Sequence, residues 1–177
     1  MKYVLLSIDD IEQIIENINI ARECGFDEMI VVSNEVSPSE YRKMMALQNV
    51  SSPEEEMSVR ILFGEFDTYL RGFDIVSNYL AAEDFFITTS QIGLKVSDVQ
   101  EIKKRLSSED SDVIVGLRQA DAEEEKYVFA AKPILIASLH AVMLKEKHSF
   151  EPLETTVDSL IEAMKKDNLK LSTIEIK

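Results

Sequence analysis

Apolar and polar positions alternate between two periods along almost the whole chain. "YVLLS" is a short apolar run, and "IDDIEQIIENINIAREC" follows with apolar residues at 11, 14, 15, 18 and 21. The first pattern predicts a strand and the second a helix, which Gly25 ends. "EMIVVS" predicts a second strand. "SPSEYRKMMALQ" predicts a second helix, with Ser37 as N-cap, Pro38 at the first helical position and Glu40 completing a capping box. Residues 49–57 are polar, carry Pro53 and predict an exposed connection before the strand "SVRILFG".

The same alternation continues to the end. Asp67 or Thr68 can cap a third helix, "YLRGFDIVSNYLAA", after which "DFFITT" is a strand and "SDVQEIKKRL" a helix with a second box at Ser97 and Gln100. "DVIVGLR" is a fifth strand, "QADAEEEK" an acidic loop and "YVFAA" a short sixth strand. Pro133 then opens the apolar helix "PILIASLHAVMLK". A loop, "KHSFEPLE", leads to a final helix near 155–167 and to "LKLSTIEIK", whose strict alternation leaves one face or edge wet.

Repeated strand–helix units imply an α/β fold, a three-layer αβα sandwich with a mainly parallel sheet, because right-handed crossovers leave few other topologies. With 177 residues, the expectation is a single domain over 1–177. Ligands in such sheets bind beyond the carboxyl ends of the strands. That directs attention to five loops: Ser7 to Asp10, Ser33 to Ser37, Gly64 to Thr68, Thr88 to Leu94, and Arg118 to Lys126.

Composition narrows the partners. The formal charge of −14, from 33 acids against 19 bases, repels a phosphate backbone, and no basic stripe with interleaved aromatics offsets it, so nucleic acid is not expected. The acidity serves solubility or a basic protein partner. No apolar run approaches a membrane span, and the start lacks a signal-peptide pattern, so no transmembrane segment and a cytoplasmic location are expected. Cys24 stands alone beside a helix-ending glycine, where a buried bystander role fits it better than a reactive one.

The loops lack the common catalytic signatures. The five glycines are isolated, so neither a dinucleotide fingerprint nor a P-loop is present. His140 falls on an apolar helix and reads as a packed residue, while His148 lies in a loop without neighbouring zinc ligands. No serine sits in a nucleophile-elbow turn. Asp9 and Asp10 follow a strand end, where either general-base work or helix capping suits them. Asp121, Glu123, Glu124 and Glu125 form the one dense group of carboxylates, either a solvated loop or a source of ligands for a hard cation.

In order and length these pieces resemble the GT-A fold of family 2 glycosyltransferases, the group that includes dolichol-phosphate mannose synthases. That family's Tyr-Asn-Glu loop corresponds to Ser7, Ile8 and Asp9, and its Asp-Asp-Gly-Ser stretch to Ser33 and Asn34. Arg71-Gly72 is similar to its Arg-Gly pattern. Thr89-Ser90-Gln91 stands where its Asp-x-Asp metal loop would, and "SDVIVGLR" looks like its Asp-Val-Val-Val-Gly-Ser-Arg strand. The closing residues 155–177 are similar to its terminal helix and strand. Sugar nucleotidyltransferases share the architecture, and "NIARECGFDEMIVVSNE" also resembles their early helix and strand, but their glycine-rich phosphate loop is missing.

The resemblance implies a nucleotide-diphospho-sugar transferase-like fold that binds a nucleotide or nucleotide sugar through Ser7, Asp9, Ser33, Asn34, Arg71, Thr89, Ser90, Gln91 and Arg118. No catalytic residue can be assigned and no cofactor is implied, except that Mg²⁺ or Mn²⁺ could be held if the 121–125 loop contributes ligands. Hydroxyls and amides hold such an ion far less strongly than carboxylates. Arg71 and Arg118 are candidates to meet leaving-group charge, or are surface charges paired with nearby acids. The expectation is therefore a degenerate transferase-like domain acting in binding or assembly, with a basic protein or a second copy as partner. The alternatives are an active nucleotide-sugar transferase or sugar nucleotidyltransferase with an altered metal site, and a regulatory domain for another small ligand.

Overall fold

The computed structural model describes residues 1–7, 11–34, 37–49, 57–64, 69–80, 82–89, 92–108, 110–119, 125–137 and 157–176. Its strands are β1 (Lys2–Ser7), β2 (Glu28–Ser33), β3 (Ser58–Phe63), β4 (Phe85–Thr89), β5 (Val113–Gln119), β6 (Glu125–Ala131) and β7 (Leu171–Glu175). The helices are α1 (Ile11–Glu23), α2 (Pro38–Asn49), α3 (Tyr69–Leu80), α4 (Val96–Ser108) and α5 (Val157–Lys166). The apolar segment that opens at Pro133 forms a helical turn at 134–137, and the rest of that expected helix, with His140 and His148, lies outside the described residues.

All seven strands form one sheet in the order β3-β2-β1-β4-β6-β5-β7. Every strand except β6 runs in the same direction; β6 is antiparallel to both β4 and β5. The reversal has a simple cause. Residues 120–124 are all that joins β5 to β6, and a parallel crossover takes about a dozen residues or more.

Period-two alternation in the strands divides the interior into two cores. Tyr3 and Leu5 of β1 face one side with Met29 and Val31 of β2, beneath Ile14 and Ile18 of α1, Met44 of α2 and Val99 and Ile102 of α4. Val4 and Leu6 face the other, with Phe73, Val76 and Leu80 of α3 and Met164 of α5. Helices on both faces give the three layers expected of an α/β fold. β7 is the edge strand its alternation predicts, with Thr173 and Glu175 exposed.

The helix ends show which local signals govern. At α2, the Glu40 N–H donates to Ser37 Oγ at 3.4 Å and the Ser37 N–H donates to Glu40 Oε2 at 3.0 Å, the reciprocal pair of a capping box. Relative to alanine, such a cap stabilises by about 1 kcal/mol. At α4 the expected box at Ser97 and Gln100 is displaced: the helix has already begun at Val96, and the Lys95 N–H donates to Asp98 Oδ2 at 3.1 Å. Leu94 and Val99 are both buried in the core beneath α4, which fixes where the chain turns into the helix.

Two left-handed residues stop helices. Gly25 (φ 66°) follows α1, with its N–H donating to the Arg22 carbonyl at 2.9 Å and the Phe26 N–H donating to the Ala21 carbonyl at 3.1 Å. Asn168 (φ 58°) does the same after α5, using the carbonyls of Lys165 and Met164, both at 3.1 Å. These are the paired bonds of Schellman caps, which require a residue that tolerates positive φ.

Candidate functional site

Register brings three strand ends into one row. Phe63 of β3 lies opposite Ser33 of β2, and Ser33 lies opposite Ser7 of β1. On the other side of β1, Leu6 pairs with Thr89 of β4. The Gly64 N–H donates to the Ser33 carbonyl at 3.0 Å, tying the end of β3 to that of β2. Ser7, Ser33, Asn34 and Thr89 therefore share the carboxyl edge of the sheet, where helix-covered parallel sheets bind ligands. Asp9, Ser90 and Gln91 lie outside the described residues.

The described groups at the ends of β2 and β4 are neutral, whereas the charged Arg118 stands near the end of β5. Ser33 is 3 % exposed and Thr88 is wholly buried. The Ser33 Oγ–H donates to the Asn34 carbonyl at 3.2 Å, and the Thr88 Oγ1–H donates to the Thr89 carbonyl at 3.3 Å. Each hydroxyl thus has its proton engaged next to its own position and keeps acceptor capacity.

The two candidate arginines are placed differently. Arg118, near the end of β5, is half-buried, and its Nη1 donates to the carbonyl of Gly93. This bond fastens the segment before α4 to β5, a positioning task that sequence alone did not reveal. Arg71 is exposed in the first turn of α3, on the face of the sheet that holds Phe73 and Val76. The neighbouring Gly72 packs against Leu6, where a Cβ would stand 2.7 Å from Leu6 Cδ1. The structure does not place the two guanidiniums together.

The described donor set does not fit Mg²⁺ or Mn²⁺. Among the described residues no group of three or more His, Cys, Asp or Glu could hold an ion. The hydroxyls of Ser33 and Thr88 are poor substitutes for carboxylate oxygens. Residues 121–124 lie outside the described set, but Gln119 and Glu125, which flank them, pair at the carboxyl end of β5. Cys24 has no part in this edge: it is buried, its thiol lies 3.7 Å from the Val96 carbonyl, and burial raises its pKa despite the opposing charge of Lys103.

Two aromatics at the edge were missed in the sequence. Tyr41 of α2 and Phe63 of β3 are 46 % and 37 % exposed, and their ring centroids are 5.1 Å apart at an interplanar angle of 35°. In the sequence, Phe63 reads only as part of a strand pattern and Tyr41 only as part of a helix pattern. The signal lay in pairing across elements, which one-dimensional periodicity does not carry. A separate groove of about 530 Å³ lies between α4 and β7, lined by Asp98, Glu101, Arg105, Thr173 and Glu175 among others.

No family model matches the chain, and no curated protein matches it in sequence. Solved structures do match over its full length. A protein assigned as glucose-1-phosphate thymidylyltransferase from Bacillus anthracis superposes with a TM-score of 0.71 at 9 % identity, covering 100 % of this chain and 87 % of that one. The fold is nucleotide-diphospho-sugar transferase-like. A UDP-glucose pyrophosphorylase from Acinetobacter baumannii gives 0.67 at 10 % identity, covering 100 % and 86 %. The inositol-1-phosphate CTP transferase of T. maritima gives 0.67 at 11 %, covering 98 % and 84 %. Among the described residues no helix is long and apolar enough to cross a membrane.

Proposed function

We propose that this chain binds a nucleotide or nucleotide sugar at the carboxyl ends of β1, β2 and β4, and that it serves in binding or assembly without metal-dependent transfer. The observation that carries this reading is the neutral edge formed by Ser33, Asn34, Thr88 and Thr89. It lies at the carboxyl ends of the strands and has hydroxyl and amide residues where the family 2 glycosyltransferases that the sequence resembles have paired acids. The fold is shared with proteins named for nucleotidyl transfer to sugar and inositol phosphates, which supports a nucleotide as ligand. Ser7, Asp9, Arg71, Ser90, Gln91 and Arg118 complete the proposed surroundings.

A second reading rests on the β5–β6 reversal: Gln119 and Glu125 pair at the carboxyl end of β5, and the acidic run 121–124 lies between them in the sequence. Carboxylates arriving there would hold Mg²⁺ or Mn²⁺ and shield diphosphate charge in an active transferase or nucleotidyltransferase. A thermal-shift series with CTP, UTP, GTP, UDP-glucose and GDP-mannose, each in EDTA and in Mn²⁺, separates the two. Stabilisation of equal size in both conditions, with no pyrophosphate or free sugar released, is the expected outcome. Stabilisation confined to Mn²⁺, accompanied by turnover, favours the second reading; no response to any ligand overturns both.

A further inference from the structure

We infer that the Tyr41–Phe63 pair is a stacking platform for the base of the ligand, so that affinity at this edge comes mainly from the base rather than from phosphate. The inference deepens the proposed nucleotide reading and rests on it. Phe63 lies opposite Ser33 in register, and the next residue, Gly64, bonds back to the Ser33 carbonyl. Tyr41 enters α2 one turn after Ser37, its N–H donating to the Ser37 carbonyl at 2.9 Å. The tilted pair therefore lies on the β3 side of the end of β2, where Ser33 is buried and Asn34 half-buried.

Their surroundings differ from those of the other exposed tyrosine ring. Tyr79 lies under the Arg60 guanidinium, 5.3 Å from its ring centroid. Among the described residues, the ring contact of Tyr41 and Phe63 is with each other. Two tilted aromatic rings that stay partly exposed beside the end of β2 offer apolar surface, and the half-buried Asn34 and Thr89 at the strand ends offer polar groups. A ligand that meets both needs a flat apolar face and a polar rim, as a nucleobase has. Stacking on aromatic side chains tolerates any base, because each has a π-face.

Charge points the same way. With 33 acids to 19 bases, the chain attracts free phosphate weakly. Of the two candidate arginines, Arg118 is committed to Gly93. A base-centred mode of binding is what remains strong under those conditions.

Calorimetric titration tests the platform, using CMP, UMP, AMP and GMP together with ribose 5-phosphate, which lacks a base. The proteins are the unmodified chain, Tyr41→Ala, Tyr41→Phe and Phe63→Leu, with ligand-free melting temperatures confirming that each is folded. The expected result is binding of the nucleotides, binding of ribose 5-phosphate weaker by about tenfold or more, and a loss of about tenfold in Tyr41→Ala and Phe63→Leu, with Tyr41→Phe retaining affinity. Unchanged nucleotide binding in Tyr41→Ala and Phe63→Leu, or ribose 5-phosphate binding as tightly as CMP, overturns the platform and leaves the nucleotide reading standing. If no nucleotide binds the unmodified chain, both fall. Should Tyr41→Ala fail to fold, Phe63→Leu and the ribose 5-phosphate comparison still decide.

Discussion

Phe86→Ala is expected to destabilise the protein by about 3–5 kcal/mol, the range for removing a large aromatic from a packed core. Phe86 is wholly buried and pairs in register with Tyr3, stacking on it with centroids 5.0 Å apart at 29°. Phe26 closes the cluster, edge-on to Tyr3 at 5.2 Å and 6.2 Å from Phe86. The effect spreads beyond lost area. Tyr3 Oη donates to Asn17 Oδ1 at 2.6 Å, and Asn17 Nδ2 donates to the Gln13 carbonyl at 2.8 Å, so a ring that shifts into the cavity loosens a buried polar contact in α1. A buried hydroxyl that loses its partner adds about 1–3 kcal/mol to the cost. For a domain whose total stability is about 5–15 kcal/mol, that is a large fraction. Urea unfolding followed by circular dichroism measures it; a loss below about 1 kcal/mol would show that the cluster is not packed as described.

Gly116→Ala is the second large effect, and here two physical terms oppose each other. In a strand interior alanine is intrinsically preferred over glycine, which on its own predicts slight stabilisation. Sterics decide otherwise. A Cβ at 116 would stand 2.5 Å from Val128 Cγ2, 2.8 Å from Ile176 Cδ1 and 3.1 Å from Ile102 Cδ1. All three neighbours are in the core, so none can swing into solvent. The expected cost is about 1–3 kcal/mol, typical of an added methyl group in a filled core. Pairing it with Val128→Ala removes the nearest clash, and the double variant should lose less than the two single losses added together. Strict additivity would contradict the contact.

The sequence made the layers legible because each strand is a short apolar run bounded by polar turns, and each helix carries its apolar residues on one stripe. The capping box at Ser37 and Glu40 was readable because both halves lie within four residues. What escaped was relational. The reversal of β6 was written only in the length of the 120–124 connection, not in the pattern of "YVFAA", which reads equally well in either direction. At α4, the choice between Ser97 and Lys95 as the start depended on where buried Leu94 held the chain. The paired exposure of Tyr41 and Phe63 and the bond from Arg118 to Gly93 join residues far apart in the chain, so no local signal announced them.

The candidate site was partly legible for the same reason. The rule that ligands bind at strand carboxyl ends points to the strand-end loops, and register brings Ser7, Ser33 and Thr89 to one edge. Arg71 and Arg118 were paired in the sequence only as charges; the structure puts one on α3 and gives the other a fastening role. Amide chemical-shift mapping, with CMP or UMP titrated in EDTA, examines the proposal that a nucleotide binds at this edge without a metal ion. The largest shifts are expected at Ser33, Asn34, Gly64 and Thr89, with Glu101 and Thr173 in the α4–β7 groove unmoved. Shifts concentrated in that groove, or none at the strand ends until Mn²⁺ is supplied, would contradict it.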